Sequence, residues 1–166
     1  MTRENYLRMT SAVRRVTSCL PGGAQVLRVP TLLCAAVYLL TLLHLMLTRD
    51  IRLLRALFVP AVCFIVCTAL RPVIGRERPY DRFGAAPVGE HIPGKGKSMP
   101  SRHTASAAAI AFAVVYVFPT WMVLAAMVAL AIGIAALRVL SGQHYLSDVL
   151  AAMALSSVIS LIGYLL

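Results

Sequence analysis

Charged residues in this chain are confined to four zones, residues 1–29, 48–55, 71–103 and 138–148, and the runs between them carry none. Each uncharged run can be measured against a bilayer core of about 30 Å, at about 1.5 Å of rise per helical residue. Residues 31–48 form 18 uncharged residues, about 27 Å of helix, and predict one crossing. Residues 56–70 number only 15. Arg52, Arg55 and Arg71 at the ends of that run can snorkel towards the headgroups and lengthen the usable span, so a second crossing is expected there. The 34 uncharged residues of 104–137 would make about 51 Å of helix, too long for one crossing. Pro119-Thr120-Trp121 interrupts that run. Proline disfavours helix continuation and tryptophan favours the membrane interface, so two helices joined by a tight turn are expected. The run 149–166 completes the set. The expected fold is all-α: an integral membrane helical bundle of about five transmembrane helices.

Residues 1–29 differ in kind. Arg3, Arg8, Arg14 and Arg15 are interleaved with Tyr6, Leu7, Met9, Val13 and Val16 ahead of Pro21-Gly22-Gly23. This is the pattern of an amphipathic helix lying on a membrane surface, with a disordered basic tail as the competing reading. The chain therefore divides into an N-terminal amphipathic interfacial segment, 1–29, and a transmembrane domain, 30–166. The stretch 79–99, with several Gly and Pro, reads as the long loop. No internal repeat or low-complexity tract is evident. The helix count also fixes parity. The second span ends at Arg71, the third begins after His103 and the fourth returns to Arg138, so the polar clusters at these points are expected on one membrane face.

Composition agrees with this partition. A 60% hydrophobic content with 13% charged residues in 166 residues is too apolar for an ordinary soluble domain and leaves room for one domain only. The formal net charge of +10 favours anionic partners, and burial in a bilayer makes nucleic acid the poorest of them, after anionic lipid and phosphate ligands. Cys19, Cys34, Cys63 and Cys67 lack the paired Cys-x-x-Cys spacing of a zinc site and read as small hydrophobes, without a structural disulfide. The first 30 residues lack the short apolar core and small-residue cleavage site of a removable signal peptide.

Ionisable side chains bordering membrane spans are expensive, and such positions are usually functional. Arg71 and Arg78 carry planar donor forks suited to phosphate oxygens and stay charged at any physiological pH. Pro72 and Pro79 predict a bend that aims both inward, though each arginine taken singly also reads as an interfacial anchor. In Pro100-Ser101-Arg102-His103, Ser101 stands where a long apolar helix begins, so its hydroxyl and the following amides can meet an anion at the positive helix end. His103 would lie beside that anion, able to protonate a leaving alkoxide. His144 and Asp148 are four apart, on one face if helical, so the carboxylate can orient the imidazole for nucleophilic attack on phosphorus, or form a structural hydrogen bond. His44, inside a span without a nearby acid, reads as packed, and His91 is undecided. Lys95 and Lys97 can attract an anionic headgroup or serve as solvated interfacial charges.

These clusters resemble the signature of the type-2 phosphatidic acid phosphatase superfamily, whose members include integral membrane lipid phosphatases and soluble vanadium haloperoxidases. Its first part is usually a lysine, six residues, then Arg-Pro; here Arg71 replaces the lysine and Arg78-Pro79 matches. The second, Pro-Ser-Gly-His, is Pro100-Ser101-Arg102-His103. The third, Ser-Arg, five residues, His, three residues, Asp, has Leu137 for the serine and keeps Arg138, His144 and Asp148 at the family spacing. The resemblance covers about residues 56–166. It implies that His144 is the nucleophile, Asp148 its orienting partner and His103 the general acid. It also implies that Arg71, Arg78, Ser101 and Arg138, with Arg102 beside them, bind the substrate phosphate. A fixed cationic cradle of this kind does not chemically require a metal, and many members work without magnesium, so no cofactor is expected. Family lipid phosphatases commonly have six core helices, and here the amphipathic segment stands in place of a first crossing.

The leading expectation is a multi-pass membrane enzyme that removes phosphate from a lipid monophosphate or pyrophosphate through a phosphohistidine. Undecaprenyl pyrophosphate, phosphatidylglycerophosphate and phosphatidic acid are candidate substrates. The competing readings are a non-catalytic membrane protein binding anionic lipid and, more remotely, a vanadium haloperoxidase. Five arginines in 1–29 against three in 48–55 favour a cytoplasmic site by the positive-inside rule, whereas family precedent favours the opposite side. The sequence leaves both orientation and oligomeric state open.

Overall fold

The structure, a computed structural model, describes residues 1–89, 91 and 97–165. Seven α-helices are described: α1 (Arg3–Ser18), α2 (Val29–Leu47), α3 (Arg52–Ile74), α4 (Pro79–Phe83), α5 (Arg102–Val117), α6 (Trp121–Leu140) and α7 (Leu146–Leu165). A 3-10 segment, Gly23–Arg28, leads into α2. Four helical stretches, containing α2, α3, α6 and α7, are long and apolar enough to cross a membrane, and α5 is a shorter apolar helix. The all-α membrane bundle expected from the uncharged runs is the fold observed.

The shortness of α5 follows from its place. It packs against α2, α3, α6 and α7, so neighbouring helices cover it. Its core-facing residues are mostly alanines, with Ala105, Ala109 and Ala113 fully buried. Small side chains let helix backbones approach closely, which is how apolar helices gain packing energy where lipid competes for the same surfaces. Around α5, Cys63 and Cys67 of α3 meet Ala105, Ala109 and Ala152, and Cys34 of α2 joins Ala107, Met127 and Ile134. All four cysteines are free thiols, three of them buried, in keeping with their reading as small hydrophobes. Ser156 of α7 donates to the Ala105 carbonyl at 2.9 Å, one polar tie inside this apolar contact.

Two boundaries show local chemistry at work. Phe118-Pro119-Thr120 turns the chain between α5 and α6. Thr120 caps α6 by accepting the Val123 amide on its hydroxyl at 3.3 Å, so the expected turn falls where the proline and tryptophan placed it. At the same end of the bundle Asp50 pairs with Arg52 at 2.7 Å, and Arg52 donates to the Val117 carbonyl at 3.2 Å. This ties the α2–α3 turn to the end of α5. The second span is longer than its uncharged run suggested, because α3 continues to Ile74 through Pro60 and Pro72. Its end comes at Gly75, in the left-handed conformation at φ 62°, and not at the prolines. Arg71 does not snorkel: it is buried and turned into the protein.

The N-terminal segment is helical, and α1 docks one face on the protein. Tyr6, Thr10 and Thr17 are buried, while Arg8 and Arg15 stay exposed. Its helical periodicity therefore separates a docked face from a solvated one.

At Gly163 in α7 a Cβ would lie 2.5 Å from Val59 Cγ2 and 3.1 Å from Cγ1. Valine is stiff about χ1 and cannot swing away cheaply. Gly163→Ala is expected to lower the unfolding temperature in detergent despite alanine's better helix propensity, through overpacking of about 1–3 kcal/mol. Val59→Ala in the same chain should restore most of the loss.

Candidate active site

The three polar clusters meet around one carboxylate. Asp148, in the first turn of α7, is fully buried. One of its oxygens accepts the Ser98 hydroxyl at 2.5 Å and the Tyr145 amide at 2.9 Å, and the other accepts Arg76 Nη1 at 2.7 Å. Its backbone carbonyl takes the Ser101 amide at 3.1 Å. One residue thereby joins the chain after α3, the strand of loop before α5 and the turn before α7.

His144 is buried beside it, with Nδ1 3.5 Å from Asp148 Oδ2 and no closer partner among the described residues. The expected shared helical face is corrected here. His144 lies ahead of α7 in the turn 141–145, and the turn, not an i,i+4 helix, brings ring and carboxylate together. That turn is closed by the Arg138 carbonyl, which accepts the amides of Gln143 at 3.1 Å and His144 at 3.2 Å. Gly142 within it has φ 78°, and a Cβ there would come within 2.7 Å of the Tyr6 ring and hydroxyl. The turn thus needs glycine both for its backbone and for the seat of α1.

The arginines divide their work. Arg71 donates through Nε at 2.9 Å, and through Nη2, to the Lys97 carbonyl, holding the segment that delivers Ser98. Arg78 is 3% exposed. Its guanidinium lies over the Tyr80 ring at 5.6 Å, and its Nε is buried without a hydrogen-bond partner among the described residues. Arg138 donates to the Gln143 side-chain oxygen at 2.6 Å. Ser101 is the N-cap of α5 by position, but its hydroxyl does not cap the helix as expected; it accepts from Thr104 at 3.1 Å. His103 is half-buried in the first turn of α5.

A cavity of about 480 Å³ opens beside these groups, lined by His103, Arg138 and Gln143 together with Gln25, Arg28 and Thr31. An apolar groove of about 370 Å³ adjoins it, sharing Thr31 and His103 and bordered by Cys34, Phe64, Ile110 and Ile134. Arg102 lines the groove and not the polar cavity.

Arg76 and Ser98 were not singled out in the sequence. Arg76 also donates to Ser147 at 2.7 Å and stacks over Tyr145 at 4.3 Å. Its place two residues before Arg78 was the available signal, whereas nothing near Ser98 distinguishes it from an ordinary loop serine. His44 lies where it was expected, inside the apolar stretch that contains α2, with its ring against Phe118 and away from the site. His91 packs edge-on against Tyr80. Lys95 lies outside the described residues, and Lys97 contributes its carbonyl while its side chain is exposed.

Fold and site together define a membrane-embedded helical bundle with a buried histidine, aspartate and arginine centre at one end. A sequence profile of the PAP2 superfamily matches residues 52–166, and the chain belongs to that superfamily. It is 35% identical over 103 residues to a lipid A 1-phosphatase of Rhizobium johnstonii, a match covering 59% of this chain and 41% of that protein. A lipid A 1-phosphatase of Rhizobium etli is 34% identical over the same length. The chain thus matches about two-fifths of the length of these relatives. Its fold is similar to that of Aquifex aeolicus LpxE, with a TM-score of 0.75 at 18% identity, covering 98% of this chain and 94% of that one. It is also similar to the Bacillus subtilis PAP2-type phosphatidylglycerolphosphate phosphatase, with a TM-score of 0.69 at 23% identity, covering 97% and 83%.

Burial pushes the His144 pKa below the ordinary histidine range, and the nearby Arg78 charge acts in the same direction against the raising influence of Asp148. The unfolded chain takes up this proton near pH 6.5 and the folded protein resists it. The neutral ring therefore contributes stability that is present above that pH and is lost as pH falls below it. NMR titration should find the His144 midpoint below that of the unfolded chain. Asp148→Asn should lower its pKa further, because the one partner that favours the imidazolium is removed.

Proposed function

We propose that this protein is a lipid phosphate phosphatase that works through a phosphohistidine without a metal ion. The observation that carries the reading is Arg78: a guanidinium almost wholly withdrawn from water, with Nε unpartnered among the described residues, close enough for its charge to act on His144. A buried cation without a carboxylate partner is costly unless an anion arrives to pair with it. A phosphate does so with the geometry arginine favours.

With His144 neutral and its proton on Nδ1 facing Asp148, the Nε2 lone pair is free to attack phosphorus. The phosphorus–oxygen bond to the lipid breaks as the phosphorus–nitrogen bond forms, and His103 gives its proton to the leaving oxygen. His103 then takes a proton from water as that water attacks the phosphohistidine, releasing inorganic phosphate and restoring both histidines. Asp148 stabilises the positive charge His144 acquires. Arg78 and Arg138, with Arg71 behind them, stabilise the negative oxygens of the transferred group, the electrostatic task a metal ion performs in other phosphoryl-transfer sites. Ser101 completes the phosphate-binding set at the head of α5, and Arg102, which lines the adjoining groove, adds positive charge beside it. The membrane helices and the apolar groove beside His103 support a substrate whose tail stays in the bilayer. Phosphatidylglycerophosphate, phosphatidic acid and undecaprenyl pyrophosphate all meet that description. In this reading residues 1–29 form the interfacial segment and 30–166 the phosphatase domain.

His144→Ala is expected to reduce phosphate release from these lipids by at least about a thousandfold, with circular dichroism and membrane insertion retained. Near-normal turnover would reject the mechanism. In kcat/KM, which reports the step that expels the alcohol, His103→Ala should be impaired far more on an alkyl phosphate than on p-nitrophenyl phosphate, whose leaving group departs without a proton. Equal impairment on both would remove His103 from the acid role. Inactivity of the unaltered protein across the panel, with lipid binding retained, would favour the non-catalytic alternative.

A further inference from the structure

We propose that the 3-10 segment Gly23–Arg28 and the start of α2 form the wall that selects the lipid headgroup. In this assignment Gln25, Arg28 and Thr31 contact the part of the substrate that flanks the reacting phosphate. The inference rests on the phosphatase reading and deepens it. The class of substrate it names is a lipid phosphate monoester whose headgroup carries a further hydroxyl or phosphate-bearing unit.

The first support is size. A cavity of about 480 Å³ falls in the range that encloses a whole small molecule, whereas the reacting phosphate needs only the end occupied by His103 and Arg138. The second is the chemistry of the walls. Alongside the histidine and arginine stand an amide, a guanidinium and a hydroxyl, from Gln25, Arg28 and Thr31, and among the described residues no aspartate or glutamate lines the cavity. Such a wall donates hydrogen bonds and positive charge. It suits hydroxyls and a second anionic group.

The third support is direction. The apolar groove joins the cavity at Thr31 and His103. A lipid with its tail in the groove and its phosphate among the arginines must lay the intervening headgroup beside residues 25–31. The fourth is how the wall is held. Ala24, Val88 and Gly89 line the same cavity. The adjoining Val88 amide donates to the Ser141 carbonyl at 2.9 Å. The wall therefore adjoins a segment bonded to the turn that carries His144. It also lies ahead of residues 52–166, the part matched by the family profile. Its side chains are therefore separate from the catalytic signature and can set which headgroup enters without altering the reacting groups.

The test compares kcat/KM for phosphatidylglycerophosphate and phosphatidic acid of identical acyl chains, using the full chain in vesicles. The first lipid has a glycerol hydroxyl and a second phosphate beside the reacting one, and the second lipid has neither. The unaltered protein should favour phosphatidylglycerophosphate, and Arg28→Ala or Gln25→Ala should lower that preference by roughly tenfold. Gln25→Glu, which keeps size and adds a negative charge, should lower it at least as far. A loss shared equally by both lipids, an unchanged ratio in all three variants, or no preference in the unaltered protein would overturn the assignment. His144→Ala is run alongside. Persistent phosphate release there would defeat the catalytic reading, whereas an unchanged ratio with an inactive His144→Ala would defeat the headgroup wall alone.

Discussion

Everything at the polar end of this bundle depends on keeping one carboxylate satisfied out of water. Removing Asp148 from solvent costs several kcal/mol unless its oxygens are met by donors, and they are met by Ser98, the Tyr145 amide and Arg76. Those donors come from three separate stretches of chain. The same residue's carbonyl then fixes the first amide of the Ser101 segment. Satisfying one buried charge therefore sets the mutual positions of α3, α5 and α7 at this end. His144 inherits its place from that arrangement, since the turn that delivers Tyr145 to Asp148 also delivers the imidazole.

Much of this was legible in the sequence because membranes simplify the reading. Uncharged runs marked the helices, Pro119-Thr120-Trp121 marked a turn, and span parity brought the clusters of Arg71, His103 and Arg138 to one end. What escaped were features that depend on tertiary pairing. Arg76 and Ser98 are residue types found in any polar loop, and only the buried carboxylate between them gives them a task. The placement of His144 in a turn escaped for another reason: four-residue spacing fits a helix and this turn alike. Ser101 occupies the cap position its sequence context suggests, but its hydroxyl is taken by Thr104, a competition no pattern of spacing encodes.

Arg71 shows how a departure from the family signature can have a structural cause. Two of its nitrogens converge on the Lys97 carbonyl. A lysine ammonium is a compact charge on a flexible stem and cannot reproduce that planar fork. Here the guanidinium adds positive charge near the site and also restrains the loop that carries Ser98. Leu137, where the signature has serine, lines the polar cavity, so a hydroxyl is exchanged for apolar surface beside Arg138.

The N-terminal helix belongs to the same mechanical unit, although it lies outside the part of the chain matched by the family profile. Tyr6 is fully buried, donates to the Ala85 carbonyl at 3.0 Å and meets the Phe83 ring at 5.3 Å. It fits because Gly142 has no side chain to oppose it. Burial pushes the Tyr6 hydroxyl pKa up to about 12, so it remains a neutral donor across the physiological range and the contact is insensitive to pH. Arg3 and Arg14 add side-chain bonds to the Phe83 and Ala86 carbonyls. One face of α1 thus holds both the loop after α4 and the turn that carries His144, while its outer face leaves Arg15, and Arg8 paired with Glu4 at 2.6 Å, exposed to the surroundings. Because the turn's geometry is shared between Asp148 on the inside and Tyr6 on the outside, displacement of α1 must be felt at His144 before it is felt anywhere in the apolar core.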